Sequence, residues 1–557
     1  MPDGHPRPLE LDLDESEAKQ DFRGANRLLL HTGNADAKLA AAVFLRVVSE
    51  YTVAPKVNFV EVVIGGQSWG SYLSYKSFDK NFVADEFGSK KGERWFARPG
   101  TQPLASLGID AAAYKTAYQL KSGGEDDAHA WDQLAEVCAA LAKGGTETGA
   151  FIDIDQVLWS LALERVFAVH DGVPSGSSGC ALYQGSDSKF RVIHYGGAQS
   201  FGIDSQAKRQ TVELPLIPED SDGSLLARLC RNPDWKSRYL AHARTITQQS
   251  VNWEVIGPAA EEAAAALKRV TGEPQTKAVA KLKHFTGARR HDLSKQLKLG
   301  QLPVVFDEVS QEWAGDGALP PPNEPITVNA KVTGAEAVVL HVATGKRGAF
   351  SPNPMQLGSN GAFVAEIPGL NAGSLVRYYV EARTARGVAY QPPQAEFRPT
   401  KFQFDTPKNG TFSVVLSEVM AANTKTLEDP QGDFDDYIEL YNASDKEVDI
   451  SGHCLSDKST KLNKWTFPEG TKIAAKGHLL VWADEDGKDE EGLHANFKLS
   501  KKGETIFLAD TAENKHAVLD KLSFKNLGAD EAYARSEDAE WSKQEGTPGA
   551  PNPVPDQ

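Results

Sequence analysis

The apolar positions of this chain follow two spacings. From Val57 to Ile64 the β-branched residues Val57, Val60, Val62, Val63 and Ile64 crowd together and stop at Gly65 and Gly66, which predicts a strand entering a tight turn. Tyr72 to Phe78 is expected to return as its partner. Between about 128 and 170 the spacing becomes helical: Trp131, Leu134, Val137, Cys138 and Leu141 form one stripe, and Ile154, Val157, Leu158, Leu161 and Val166 repeat it after Asp153, a predicted N-cap. Lys189 to Ile193 is a short strand. Helical spacing resumes from about 224 to 300, through Leu225, Leu226, Leu229, Tyr239, Ile246 and an Ala-rich run from Ala259 to Val270. At these spacings Trp235, Tyr239 and Trp253 are expected to pack in a core.

The pattern changes after Ala318-Leu319-Pro320-Pro321-Pro322-Asn323-Glu324-Pro325, whose composition predicts a stiff, extended linker. Short alternating strands follow at Ile326–Ala330, Ala337–Val342, Gly361–Ile367 and Val376–Ala382, a spacing that fits an immunoglobulin-like or fibronectin-like sandwich. Further on, Tyr437, Glu439 and Tyr441 alternate with Ile438 and Leu440, as a half-buried strand requires, and Asn442 opens a turn. The expected organisation is an α+β body at 1–315, a Pro-rich linker at 316–325, a β-sandwich at 326–405 and a second β-sandwich at 412–552.

Composition narrows the function classes. A chain of 557 residues with 40% apolar content supports several cores. The net charge of −16 argues against nucleic acid or anionic membrane as a general partner, because Lys and Arg supply most such binding. Cys138, Cys180, Cys230 and Cys454 are too scattered for a CxxC metal site or a disulfide framework. No run approaches the ~18 apolar residues of a spanning helix, so no membrane span is expected. Met1 to Pro8 lacks a charged segment leading into an apolar one, so no signal peptide is read here. His170, Asp171 and Ser175 lie close together, but no G-x-S-x-G elbow accompanies them and a hydrolase triad is set aside.

The candidate chemistry lies in Phe190-Arg191-Val192-Ile193 leading to Ser200-Phe201-Gly202. This segment resembles the "F-x-x-I-P-x-D-x-D/N-x-x-F-G" metal-binding loop of CotH-type kinases. Val60 to Tyr72 resembles the family's strand, "ING-x-x-WG-x-Y" turn and second strand. Phe78-Asp79-Lys80-Asn81-Phe82 resembles its "x-D-K-x-F", and Tyr118-Gln119-Leu120-Lys121 its "Y-x-L-K". The resemblance covers roughly residues 5 to 300 and implies an atypical-kinase-like α+β domain using ATP and Mg²⁺. It also implies early strands missing from this sequence, which is read either as a shortened variant or as beginning downstream of its true start. Gly196 and Ala198 occupy the two metal-ligand positions, and neither has a side-chain oxygen for a hard cation. Asp171 stands at the catalytic aspartate of the family's "N-x-D-G", Lys121 is the candidate phosphate contact, and Lys76 replaces the Glu or Gln of many relatives. Asp187 or Asp204 would have to supply metal ligands if the activity survives.

Leu416 to Asn423, Gly432 to Asn442, Val448 to Gly452, Lys464 to Pro468, Val481 to Asp484, Phe497 to Ser500 and the closing Gly546-Thr547-Pro548-Gly549-Ala550-Pro551-Asn552 resemble the bacterial lamin tail domain. The resemblance implies a second immunoglobulin-like sandwich. Asp433, Asp435 and Asp436, with Asp429 and Glu439, form a candidate cation site, although they lack the EF-hand order and suit a solvated loop. The run from Asp484 to Glu491 is expected to be an exposed loop, and His494 a packed or surface histidine.

Three functions follow as expectations. The first is a kinase-like module without metal-dependent catalysis or cofactor, acting as a bacterial extracellular or cell-surface scaffold that binds an unknown protein or a surface glycan. The second is an active protein kinase with Asp171 as base and Lys121 on phosphate. The third is adhesion through the two C-terminal sandwiches.

Overall fold

The computed structural model describes residues 8–13, 27–98, 100–108, 110–122, 127–144, 146–170, 180–203, 212–219, 224–302, 304–314, 319–322, 324–346, 348–370, 373–405, 413–485, 491–536 and 540–553. Strands β1 (Leu9–Asp12), β2 (Arg27–His31), β3 (Val57–Ile64) and β4 (Gln67–Lys76) form an antiparallel sheet of order β1-β2-β4-β3. β3 has the predicted limits. β4 begins earlier than its apolar residues signal, because backbone pairing with β3 continues through polar Gln67 and Ser68 up to the Gly65–Gly66 turn. Helix α1 (Ala35–Val48) crosses beneath this sheet, and Asn34 starts it by accepting the amide of Ala37 at 2.8 Å. Nearly all of its side chains are buried, the pattern of a helix enclosed on every side.

A second sheet, β6-β5-β7-β8, is built from β5 (Glu93–Ala97), β6 (Tyr118–Leu120), β7 (Cys180–Gln184) and β8 (Phe190–His194), with α2 (Lys80–Phe87) leading into β5 and α3 (Ala111–Ala117) between β5 and β6. Helices α4 (Ala128–Lys143) and α5 (Ile154–Val166) occupy the predicted helical region, and Asp153 caps α5 as expected by accepting the amide of Gln156 at 3.2 Å. The free edge of β8 is closed by α5. The Gln156 side chain donates to Val192 O at 2.6 Å and accepts from Val192 N at 3.0 Å, while Arg191 pairs with Asp153 at 3.0 Å. Helices α6 (Leu225–Leu229), α7 (Pro233–Gln249), α8 (Trp253–Thr271) and α9 (Thr276–Gln296) complete the body, which shares one hydrophobic core from Ala37 to Leu297. Of the three aromatics expected in it, Tyr239 is fully buried and donates to Leu216 O at 2.7 Å, while Trp235 and Trp253 pack against it half-buried.

The middle sandwich contains β9 (Val305–Glu312), β10 (Ile326–Thr333), β11 (Ala337–Thr344), β12 (Ser351–Pro354), β13 (Gln356–Leu357), β14 (Phe363–Ile367), β15 (Leu375–Thr384), β16 (Gly387–Gln391) and β17 (Thr400–Gln403). Its sheets run β13-β14-β10-β9 and β12-β11-β15-β16, with β17 on β15. β9 was not read from the sequence, and it pairs with β10 from Thr327 to Thr333. The Pro-rich stretch therefore joins two paired strands instead of separating the sandwich from what precedes it. Pro320 O accepts the amide of Asp405 at 2.7 Å, tying that stretch to the segment that follows the sandwich's last strand.

The sandwich also docks on the body through α7. Arg244 donates to Val388 O at 2.6 Å, and Arg238 meets Glu396 at 2.9 Å and Asp155 at 3.2 Å. Tyr379, Val388, Tyr390 and Ala395 share a small apolar cluster with Ala241.

The last sandwich runs from β18 (Val414–Met420) through β19 (Tyr437–Asn442), β20 (Val448–Asp449), β21 (Cys454–Ser456), β22 (Trp465–Thr466), β23 (Lys472–Ile473), β24 (His478–Ala483), β25 (His494–Ala495), β26 (Gly503–Ala509) and β27 (Val518–Lys525) to β28 (Glu531–Arg535) and β29 (Trp541–Glu545). Its sheets are β25-β24-β19-β18-β28-β29 and β22-β21-β26-β27, with a β20-β23 ribbon. The fold is thus an α+β body followed by antiparallel immunoglobulin-like sandwiches. Among the described residues no helix is long and apolar enough to cross a membrane.

Candidate functional site

The loop that leaves β8, His194 to Gly202, is held between α1 and the end of α5. Phe201 N donates to Phe167 O at 3.0 Å, His170 N to Gln199 O at 3.2 Å, and Ser200 N to Gly197 O at 3.1 Å. The Ser200 hydroxyl is buried and donates to Gly197 O at 2.6 Å, with Ala40 O of α1 at 3.4 Å. Gly197 has φ of +108°, and a Cβ there would lie 2.5 Å from Cδ1 of Phe44. Only glycine meets both demands. Phe44 also packs edge-on to His194, with ring centroids 5.7 Å apart.

The interior of the loop is aromatic and apolar. Tyr195 is fully buried, with Phe96 at 5.1 Å, Phe78 at 5.9 Å, Tyr75 at 6.1 Å and Phe82 at 6.2 Å between centroids. Its hydroxyl donates to Lys76 O at 3.2 Å, and burial pushes its pKa well above the ordinary tyrosine value. Ala198 packs against the core, while Gln199 is exposed. His194 is buried, with Nδ1 3.1 Å from Glu164. The oxygen-bearing side chains between Gly196 and Gly202 are Gln199, exposed and neutral, and Ser200, already engaged with backbone. A dication prefers charged oxygens, and this donor set does not fit magnesium.

The expected charged residues are spread out. Lys121 follows β6; its Nζ lies 3.3 Å from Glu10 of β1 and 5.8 Å from the Phe96 centroid. Lys76, at the end of β4, pairs with Asp85 of α2. Asp187 lies in the β7–β8 turn, bound to Arg191 at 3.0 and 2.5 Å. Burial raises its pKa, but the Arg191 hydrogen bonds and charge outweigh this and leave it lowered. That turn is at the opposite end of β8 from the loop, so Asp187 does not reach Gly196 or Ala198. Asp171, Ser175 and Asp204 lie outside the described residues.

One cation escaped the sequence reading. Lys38 of α1 is buried, its amine donating to Ser71 O at 2.7 Å and Ser71 Oγ at 2.5 Å, and burial lowers its pKa. The available signal was a lone lysine within an otherwise apolar helix.

In the last sandwich, Asp429 Oδ1 accepts the amides of Gln431 at 2.9 Å and Asp433 at 2.8 Å, closing a turn. Asp436 is pushed up to about 6 by burial, although it accepts amides from Asn423 and Leu499. Asp435 is raised by burial and by Asp484, Asp429 and Asp433. Among the described residues, no three His, Cys, Asp or Glu side chains form a group able to hold a metal ion. His494 is packed, with Nδ1 2.5 Å from Asp484 and Nε2 3.2 Å from Glu491 O.

The family model described as CotH kinase protein matches residues 5–297, and the model described as Lamin Tail Domain matches residues 407–525. No curated protein matches the chain. Among solved structures, the Pseudomonas fluorescens alkylpurine DNA glycosylase AlkC bound to DNA containing an abasic site analog is similar at 12% identity, with a TM-score of 0.12. It covers 36% of this chain and 65% of that chain. A superposition so loose carries no argument about fold or function.

Proposed function

Because the chain belongs to the CotH kinase family and carries a lamin tail domain, we propose that it is a pseudokinase that serves as a bacterial extracellular or cell-surface scaffold. The observation that carries this reading is the Gly196–Ala198 loop. Its family ligand positions bear no side-chain oxygen, Phe44 presses on Gly197, and Tyr195 fills the interior. Phosphoryl transfer depends on cations and donors that stabilise the charge of the transferring group. With the ligand pair absent, most of that stabilisation is absent too, and Lys121 is engaged by Glu10. What remains is a rigid body with two sandwiches, suited to holding a protein or a surface glycan.

The test is thermal unfolding of the full chain with ATP, in the presence and absence of Mg²⁺. A scaffold shows no Mg²⁺-dependent increase in midpoint; a rise of several degrees that requires both ligands overturns the reading.

One observation favours a surviving kinase. His170, next to Asp171, is tied to Gln199 by its backbone amide, so the segment carrying the family's catalytic aspartate starts beside the metal-loop position. On that reading Asp171 is the base, Lys121 contacts phosphate, and ATP with Mg²⁺ are required. Transfer of labelled γ-phosphate to a protein acceptor, abolished by Asp171→Asn, supports it; no transfer with any divalent metal rejects it.

A further inference from the structure

Away from the β8 loop, a cavity of about 170 Å³ opens between the end of α4, the 3₁₀ turn Thr146–Ala150 and the start of α7. Its walls are of two kinds. Leu141, Leu229 and Trp235 are apolar or aromatic, while Thr148, Arg228 and Arg231 carry donors. Thr148 is 2% exposed, and its hydroxyl, although buried, has no hydrogen-bond partner. Arg228 donates through Nη1 to Leu104 O at 3.1 Å, leaving its buried Nε without a partner. Buried donors without acceptors are uncommon and costly, and two of them belong to residues that line this one cavity.

The charge points the same way. Among the described residues, the ionisable groups facing Arg228 are Cys138, Tyr118 and Arg231; none is a carboxylate. Burial first, then the Arg231 charge, lowers its pKa, and both effects would be relieved by an anion. Asn232 caps α7 by accepting the amides of Asp234 and Trp235 at 2.9 and 3.2 Å, so the helix end is not itself the attraction. Gly144, at φ +71°, leaves open space where a Cβ would stand, which keeps that wall unobstructed.

We propose that this cavity binds a small organic carboxylate. The carboxyl group accepts from the Arg231 guanidinium, and from Thr148 Oγ1 and Arg228 Nε once the side chains that cover those two atoms shift aside, while the carbon skeleton lies against Leu141, Leu229 and Trp235. A volume near 170 Å³ suits a single ring or a branched chain, since an apolar cavity of ~150 Å³ holds benzene. Inorganic phosphate would satisfy the donors but leave an ion against three apolar walls. The site stands whether or not the β8 loop binds nucleotide.

The experiment is isothermal titration calorimetry of the full chain with benzoate and isobutyrate at constant ionic strength, using benzamide and inorganic phosphate as controls. Saturable binding of either acid is expected, with benzamide and phosphate at least about tenfold weaker. Thr148→Val removes an orphaned hydroxyl without changing shape, so its unfolding midpoint should equal or exceed that of the natural chain while acid affinity falls about tenfold or more. Arg231→Gln, at an exposed position, should weaken the acids without unfolding the protein. Equal binding of acid and amide, phosphate as tight as the acids, or unchanged affinity in both variants overturns the proposal.

Discussion

At the scale of single residues, glycine at 197 is required by geometry. A Cβ would meet Phe44 at 2.5 Å, and φ of +108° is strained for any side chain. Gly197→Ala is therefore expected to destabilise the body by roughly 2–4 kcal/mol, read as a lower denaturant midpoint at constant slope; an unchanged midpoint would mean that Phe44 yields freely. Gly196 and Ala198, proposed to stand at the family's metal-ligand positions, allow a gain-of-function test. Gly196→Asp combined with Ala198→Asp supplies two carboxylates and should produce a Mg²⁺-dependent rise in thermal midpoint larger than any in the natural chain. Absence of that rise would show that Phe44 and Tyr195, as well as the missing oxygens, close the loop to metal.

At the scale of elements, the closing motif from Gly546 to Asn552 is a strap across β18 and β19. Glu418 is buried and accepts from Tyr437, from Thr547 N at 3.1 Å and from Thr547 Oγ1 at 3.2 Å. Glu439, also buried, accepts from Gly549 N at 2.5 Å and faces His478 Nδ1 at 2.8 Å. Asn552 donates to Ser417 O at 3.1 Å and Ser417 Oγ at 3.0 Å. The Gly-Thr-Pro-Gly-Ala-Pro-Asn sequence thus satisfies two carboxylates that β18 and β19 bury. Asn552→Ala removes a buried anchor and should cost about 1–3 kcal/mol, with faster proteolytic cleavage near 546–552; unaltered cleavage would show that the two glutamates hold the strap alone.

At the scale of the whole molecule, docking of the middle sandwich on α7 couples it to the body through a buried charged network. Arg238 stands among Asp155, Glu396 and Glu381, and His242 lies 2.9 Å from Asp155. Glu396 is pushed up to about 7, chiefly by burial and then by the Asp155 charge, against the pull of Arg238. A carboxyl raised from 4.5 holds its proton in the folded state, so its contribution is complete below about 4.5 and is lost as pH rises through about 7. His242 is lowered by burial, so it works in the opposite direction, its penalty lifting as pH rises toward 6.5. Glu381, held near 2, stays ionised throughout this range. Glu396→Gln mimics the protonated form. Its unfolding free energy, relative to the natural chain, should rise between pH 5 and 7.5 by about 2 kcal/mol; parallel pH profiles would remove Glu396 from the network.

Much was legible in the hydropathy pattern. The limits of β3, the capping of α5 by Asp153, the helices after 224 and the alternating strands of both sandwiches all follow from local spacing and local hydrogen bonding, which neighbouring residues settle among themselves. The absence of side-chain oxygens at Gly196 and Ala198 was also legible, because it concerns residue type alone. β9 was hidden because Asp307, Glu308, Gln311 and Glu312 dilute its apolar signal, and it becomes a strand only when β10 offers its edge. Likewise, Phe44 on Gly197, Glu10 on Lys121, the α7 interface and the Thr148 cavity join residues far apart in the chain. Spacing along a sequence cannot encode which distant surfaces meet; that was decided by packing, when the body's single core and the docked sandwich excluded water from particular charges and left particular donors unpaired.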